Sequence, residues 1–123
     1  MKSFLRSFQY AWNGLRQALR EERNLRVQLS VAIAVIVAGF YFRITNAEWC
    51  ILLICIGLVL GFELLNSALE NLVDLVQPER HPLAGKVKDM GAAAVLTVSF
   101  ASLVAGVIIF WKYISHWTLI IAN

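Results

Sequence analysis

The chain has 123 residues, of which 59% are hydrophobic and 15% charged, with a formal net charge of +3. Soluble domains carry about a quarter charged residues, and a soluble chain this short could not bury so much apolar surface. Lipid is therefore the expected solvent for much of it, and the length allows one domain at most. The basic excess does not point to nucleic acid, because Lys and Arg gather beside apolar runs. Cys50 and Cys55 lie inside such a run, at a spacing that fits neither a CxxC motif nor a disulfide framework.

From the N-terminus, Phe4, Phe8, Trp12, Leu15 and Leu19 recur at helical spacing, with Lys2, Arg6, Gln9, Asn13, Arg16 and Arg20 on the opposite stripe. The pattern predicts an amphipathic helix over 1–24 that lies in the membrane interface, basic side toward anionic headgroups. Packing of the same helix on a helical bundle is compatible with this. No cleavable signal peptide is expected here, because charges run through the segment and it lacks a continuous apolar stretch. Uncharged runs then follow from Val27 to Phe42 and from Trp49 to Phe62, and a longer apolar run from Met90 to Trp111. They predict three transmembrane helices over 27–45, 47–76 (with a cytoplasmic extension) and 88–115. Pro78 and Pro82 mark the region between the last two as a turn, with His81 as a solvated loop residue. The tail from Trp117 to Asn123 either lies in the interface or extends the third helix.

Basic residues alternate along this order. The N-terminal segment holds Lys2, Arg6, Arg16, Arg20, Arg23 and Arg26, the first loop only Arg43, the second loop Arg80, Lys86 and Lys88, and the tail Lys112. By the positive-inside rule the N-terminus and second loop are cytoplasmic. The expected class is an all-α, multi-pass protein of the bacterial inner (cytoplasmic) membrane.

The second span continues into a polar stripe. At roughly 100° per residue, Glu63, Asn66, Glu70 and Asp74 fall within an arc of about 80°, while Leu65, Leu69 and Leu72 lie on other faces. A carboxylate at membrane depth is costly and normally marks function. Stacked carboxylates are tolerated when a cation neutralises them or some stay protonated. Oxygen ligands of this kind suit magnesium, which takes one or two carboxylates together with substrate phosphates. Two further segments belong to the same boundary: Gly85 to Gly91, where Lys86, Lys88 and Asp89 precede the third span, and Glu21 to Arg26. Lysines so placed can neutralise nucleotide phosphates. No Walker-type loop, Rossmann glycine pattern or protein-kinase catalytic loop occurs.

The segment from Glu63 to Asp74 reads E-x-x-N-[ST]-A-[IL]-E-x-x-V-D, and Lys88 to Val95 reads K-D-M-G-A-A-A-V. Together with W-x-G-L-R at Trp12 to Arg16 and with Glu22, they resemble the signatures of the prokaryotic integral-membrane diacylglycerol kinase family, over essentially the whole chain. The resemblance implies a homotrimer whose active sites lie between subunits and use MgATP to phosphorylate a lipid alcohol. By position it implies Glu63 as the general base, Glu22 and Glu70 as magnesium ligands, and Asn66, Asp74, Lys88, Asp89 and Tyr10 at the nucleotide. The spacing suits that division: Glu63, nearest the hydrocarbon, can reach a lipid hydroxyl, and Glu70, about two turns on, faces metal and nucleotide from the cytosol.

Within the family, Glu22 to Arg26 and Pro78 to Ala84 resemble the undecaprenol kinase branch, and Gln28 stands where some diacylglycerol kinases carry a carboxylate. Undecaprenol is therefore expected as substrate, with diacylglycerol as the alternative. A reading from a different class is a non-enzymatic membrane subunit or channel. A pore needs polar groups through its full depth, whereas residues 49–62 are continuously apolar, and Thr97, Ser99 and Ser102 suit helix packing.

Overall fold

The structure, a computed structural model, describes the backbone of residues 2–121 and the side chains of residues 4–115. The Lys2 side chain and those of Trp117 to Asn123 lie outside the described residues. Four helices follow in order: α1 (Lys2–Glu21), α2 (Arg23–Phe42), α3 (Asn46–Val76) and α4 (Pro82–Ile121). Among the described residues the regular structure is entirely helical, and α2, α3 and α4 are each long and apolar enough to cross a membrane. At 1.5 Å per residue α3 is about 46 Å long and α4 about 60 Å, against about 30 Å of hydrocarbon. Both helices therefore project well past the apolar layer.

The ends of the helices follow from local chemistry. Glu22 breaks α1 from α2 with an extended backbone (φ −94°, ψ 113°), so the two axes can diverge there. Its carbonyl starts α2, and its N–H still closes on Ala18 at 2.8 Å. Arg26, one turn into α2, donates Nη1 to the carbonyls of Leu19 (3.1 Å) and Arg20 (2.8 Å). A guanidinium on the last carbonyls of α1 satisfies groups that no helical N–H reaches, and it suits the negative end of the dipole.

Arg43 ends α2 in the left-handed region (φ 51°, ψ 52°). Its N–H bonds to Phe40 and that of Ile44 to Gly39, both at 3.2 Å, a Schellman closure. Gly39 is required here because a Cβ would come 2.8 Å from Trp49 Cη2. Thr45 then caps α3 in a reciprocal box with Glu48, three residues on. The same Glu48 accepts from the Tyr113 hydroxyl at 2.7 Å and pairs with Lys112, which ties the start of α3 to the far part of α4. Ile44, Leu52 and Ile109 form the buried apolar cluster, with Phe42, Trp49 and Tyr113 against it. In lipid there is little hydrophobic drive between helices, so this end is held by close packing and polar ties.

The turn between α3 and α4 is shorter than the proline spacing suggests. It occupies residues 77–81, and Pro82 is the first residue of α4 rather than a terminator of α3. Proline suits that position because its missing N–H is one no helical carbonyl would accept. The Gly85 to Gly91 segment is therefore helical and not a loop, and the third long helix begins before residue 88 and extends past 115, through the first residues of the tail. His81 is exposed and its Nδ1 accepts from the Leu83 N–H at 3.2 Å, capping α4. So short a turn folds α4 back along α3, and these two make the most extensive helix pair.

Candidate active site

The acidic row of α3 does not emerge as a uniform solvated face. Glu63 is buried, 4% exposed, and Ser67 one turn on is buried with it. Asn66 and Glu70 are half-buried and Asp74 is exposed. Glu63 is the eighteenth residue of α3 and so about 26 Å along the helix from Asn46, close to the depth at which an apolar layer of about 30 Å ends. The row thus runs from a buried carboxylate to an open one over three helical turns.

Each buried member of the row has a specific partner. Gln28 of α2 donates Nε2 to Glu63 Oε2 at 2.7 Å. Gln28 falls on the face of α2 that carries the buried Leu25, Ala32 and Gly39, which directs its carboxamide inward. A hydrogen bond of this length to a buried side chain fixes one rotamer of it, since breaking the bond would leave a buried polar group unpaired. One turn further, Asn66 donates Nδ2 to Glu70 Oε1 at 2.8 Å. In both couples the amide oxygen, Gln28 Oε1 and Asn66 Oδ1, is buried without a donor among the described residues.

α4 closes on this row through Gly91. A Cβ there would come within 2.3 Å of Asn66 Oδ1 and 3.1 Å of Leu69 Cδ2, so only glycine lets the helices approach while Asn66 keeps its place. Gly91→Ala is expected to cost about 1–3 kcal/mol through overpacking and to lower the melting temperature in micelles. Gly85→Ala, on the same helix with nothing within 4 Å, should not lower it; equal behaviour of the two variants would contradict the close approach.

At the open end Lys88 of α4 pairs with Asp74. Their side chains are 33% and 63% exposed, and a pair of this kind contributes about 0–1 kcal/mol. Lys88 can therefore leave Asp74 for a more strongly charged anion at little cost. Both line an open groove of about 500 Å³ beneath the α3–α4 turn, with Gln77, Glu79, Arg80 and His81. Glu22 is half-buried at the α1–α2 break, and its side chain makes no capping bond to α2. Tyr10 and Asp89 are exposed, and among the described residues no hydrogen bond or ion pair joins them to the row.

The row Glu63, Asn66, Glu70 and Asp74 thus runs along α3, met by Gln28 of α2 at its buried end and by Lys88 of α4 at its open end, whereas among the described residues Tyr10, Glu22 and Asp89 make no hydrogen bond or ion pair with it. Among the described residues no three Asp, Glu, His and Cys side chains converge as a metal cage. Gln28 and Gly91 emerge as parts of the site whose roles the motif spacing does not disclose. The available signals are a polar residue on the small and apolar face of α2, and a glycine in the interior of a long helix.

Residues 9–110 match the family described as prokaryotic diacylglycerol kinase. An undecaprenol kinase of Bacillus subtilis is 37% identical over 110 residues, 89% of this chain and 89% of its own. A diacylglycerol kinase of Escherichia coli K12 is 34% identical over 104 residues, 85% of each chain. One from Synechocystis is 38% identical over 105 residues, 85% of this chain and 60% of its own. The chain belongs to the prokaryotic diacylglycerol kinase family and is an integral membrane lipid kinase.

Proposed function

We propose that this kinase transfers the γ-phosphoryl group of ATP to the hydroxyl of undecaprenol, at the cytoplasmic face of the bacterial inner membrane. The observation that carries the reading is the buried carboxylate of Glu63, oriented by Gln28 at the depth where a lipid hydroxyl resides. A carboxylate so placed is suited to take the hydroxyl proton as general base. The lipid oxygen attacks the γ-phosphorus, and ADP leaves with the bridging oxygen. The Bacillus relative named for undecaprenol and the resemblance of Glu22–Arg26 and Pro78–Ala84 to that branch support this choice of lipid. Diacylglycerol is the second reading, favoured by the relatives named for it.

Phosphoryl transfer needs mostly positioning and neutralisation of charge. Lys88, weakly held by Asp74, is assigned to the ATP phosphates. Asn66, Asp74, Asp89 and Tyr10 are assigned to the nucleotide. The donor chemistry of the row, carboxylate oxygens with one Glu70 oxygen held by Asn66 and the other left over, fits a hard divalent cation. Glu22 and Glu70 would hold magnesium, which when bound offsets negative charge on the phosphates. Because Glu70 is only half-buried and Asp74 open, one protomer encloses the row incompletely; a homotrimer with sites between subunits would close it. The exposed Phe4, Phe8 and Trp12 of α1 suit a helix lying in the interface, and the basic residues of α1 and of the α3–α4 turn suit a cytoplasmic location.

The test is transfer of labelled phosphate from ATP to lipid by the purified chain in micelles, with undecaprenol and diacylglycerol side by side and with magnesium present or removed. Preferential labelling of undecaprenol is expected, and only with the metal. Preferential labelling of diacylglycerol would move the protein to phospholipid turnover, and labelling without any divalent ion would remove the roles given to Glu22 and Glu70.

A further inference from the structure

Gln28 is a neutral amide aimed at a buried acid, and its two ends are unequally used. Nε2 donates to Glu63 Oε2 at 2.7 Å, while Oε1 is enclosed with no donor among the described residues. The direction of the amide is set by its partner, since an ionised carboxylate only accepts. A buried acceptor left without a donor is costly, so its persistence beside a group that changes protonation asks for a use.

We propose that Gln28 is a positioning residue that serves both protonation states of Glu63, holding it as a carboxylate before phosphoryl transfer and as a carboxylic acid after it. The inference rests on Glu63 being the base. In the resting state the Gln28 N–H fixes Oε2, which leaves Glu63 Oε1 for the lipid hydroxyl; no hydrogen bond to Oε1 occurs among the described residues. During transfer the lipid oxygen bonds to the γ-phosphorus. The bond from that phosphorus to the β,γ-bridging oxygen breaks, its electron pair leaves with ADP, and the hydroxyl proton moves to Glu63. The carboxylic acid so formed is now a donor and needs an acceptor. Terminal carboxamide and carboxyl torsions are broad two-fold rotors, so half-turns of these two planar groups bring the unpaired Gln28 Oε1 onto the new O–H. Release of that proton to water restores the first arrangement.

An amide suits this task because it carries one donor and one acceptor in a single plane. Methionine has neither at comparable shape. A carboxyl at position 28 has both whenever two carboxyls at this separation share one proton.

The experiment compares the full-length chain with Gln28→Met and Gln28→Glu in mixed micelles with MgATP and lipid alcohol, reading kcat, both KM values and the melting temperature. Gln28→Met is expected to lower kcat by roughly ten- to a hundredfold, the size of one hydrogen bond to a charged group. Both KM values should stay within about twofold, with melting unchanged, and Gln28→Glu should regain most of the lost kcat. An unchanged kcat in Gln28→Met would overturn the proposal. So would equal damage in both variants with raised KM or lowered melting, which marks a packing role. Glu63→Gln, run in parallel, separates the two layers: substantial remaining turnover there removes the base itself, whereas an inactive Glu63→Gln beside a normal Gln28→Met removes only the positioning role.

Discussion

Glu63→Gln is expected to lower kcat by about 10²–10⁴-fold, the range that a positioned general base contributes. The substitution keeps the shape of the side chain and one acceptor oxygen, so the bond from Gln28 Nε2 survives. What disappears is the capacity to take a proton. The predicted signature is therefore loss of turnover with the melting temperature in micelles close to that of the unaltered chain and with KM for ATP little changed. Measurement of kcat, KM and melting on the same preparation checks it. Turnover within a few fold of the original would show that the lipid hydroxyl loses its proton elsewhere. Collapse of melting would show that the charge of Glu63, and not its basicity, is what the packed α2–α3 seam requires.

The second large effect is expected at Glu70. Asn66 Nδ2 occupies Glu70 Oε1, so one carboxylate oxygen is fixed by the protein and the other remains for a cation. Glu70→Gln leaves an acceptor for Asn66 but removes the negative charge that attracts a divalent ion. Disturbing even the groups behind a metal ligand typically costs ten- to a hundredfold in affinity, so the magnesium requirement should shift upward by at least about tenfold. Titration of activity with magnesium at fixed ATP reads this directly. Partial recovery at high magnesium is expected, in contrast to Glu63→Gln, which no metal concentration should rescue. An unaltered magnesium curve would take Glu70 out of the metal site.

Much of the molecule was legible in the amino-acid order because lipid imposes strong rules. Uncharged runs at Val27–Phe42, Trp49–Phe62 and Met90–Trp111 mark three helices, since only a helix can satisfy its own backbone in hydrocarbon. The stripe from Glu63 to Asp74 was equally plain, because helical periodicity alone puts those residues on one face. The helix ends were less legible. Pro82 reads as a breaker yet opens α4, because a proline is tolerated where its missing N–H would have no partner anyway. That single shift moves Lys86 from the turn into a helix and sets Lys88 and Asp89, expected at the very start of the third long helix, well inside it. Lys88 and Asp89 then point along different directions from one rod: Lys88 reaches Asp74 and Asp89 is exposed.

What the sequence by itself determined is the class: an all-helical membrane protein with one row of acids on a single helix face, the lipid-kinase reading of that row resting on its resemblance to a family signature. Those properties depend on residue type and on periodicity within one helix, which are local. Only the tertiary structure decided which acids are buried and what holds them. That Glu63 is enclosed and Asp74 open depends on where α2 and α4 cross α3. That Gln28 meets Glu63 across 35 positions depends on the register of α2 against α3, which close contacts such as Gly39 on Trp49 help to set. Helical periodicity assigns a residue to a face; the partner on the other side of that face is decided by packing.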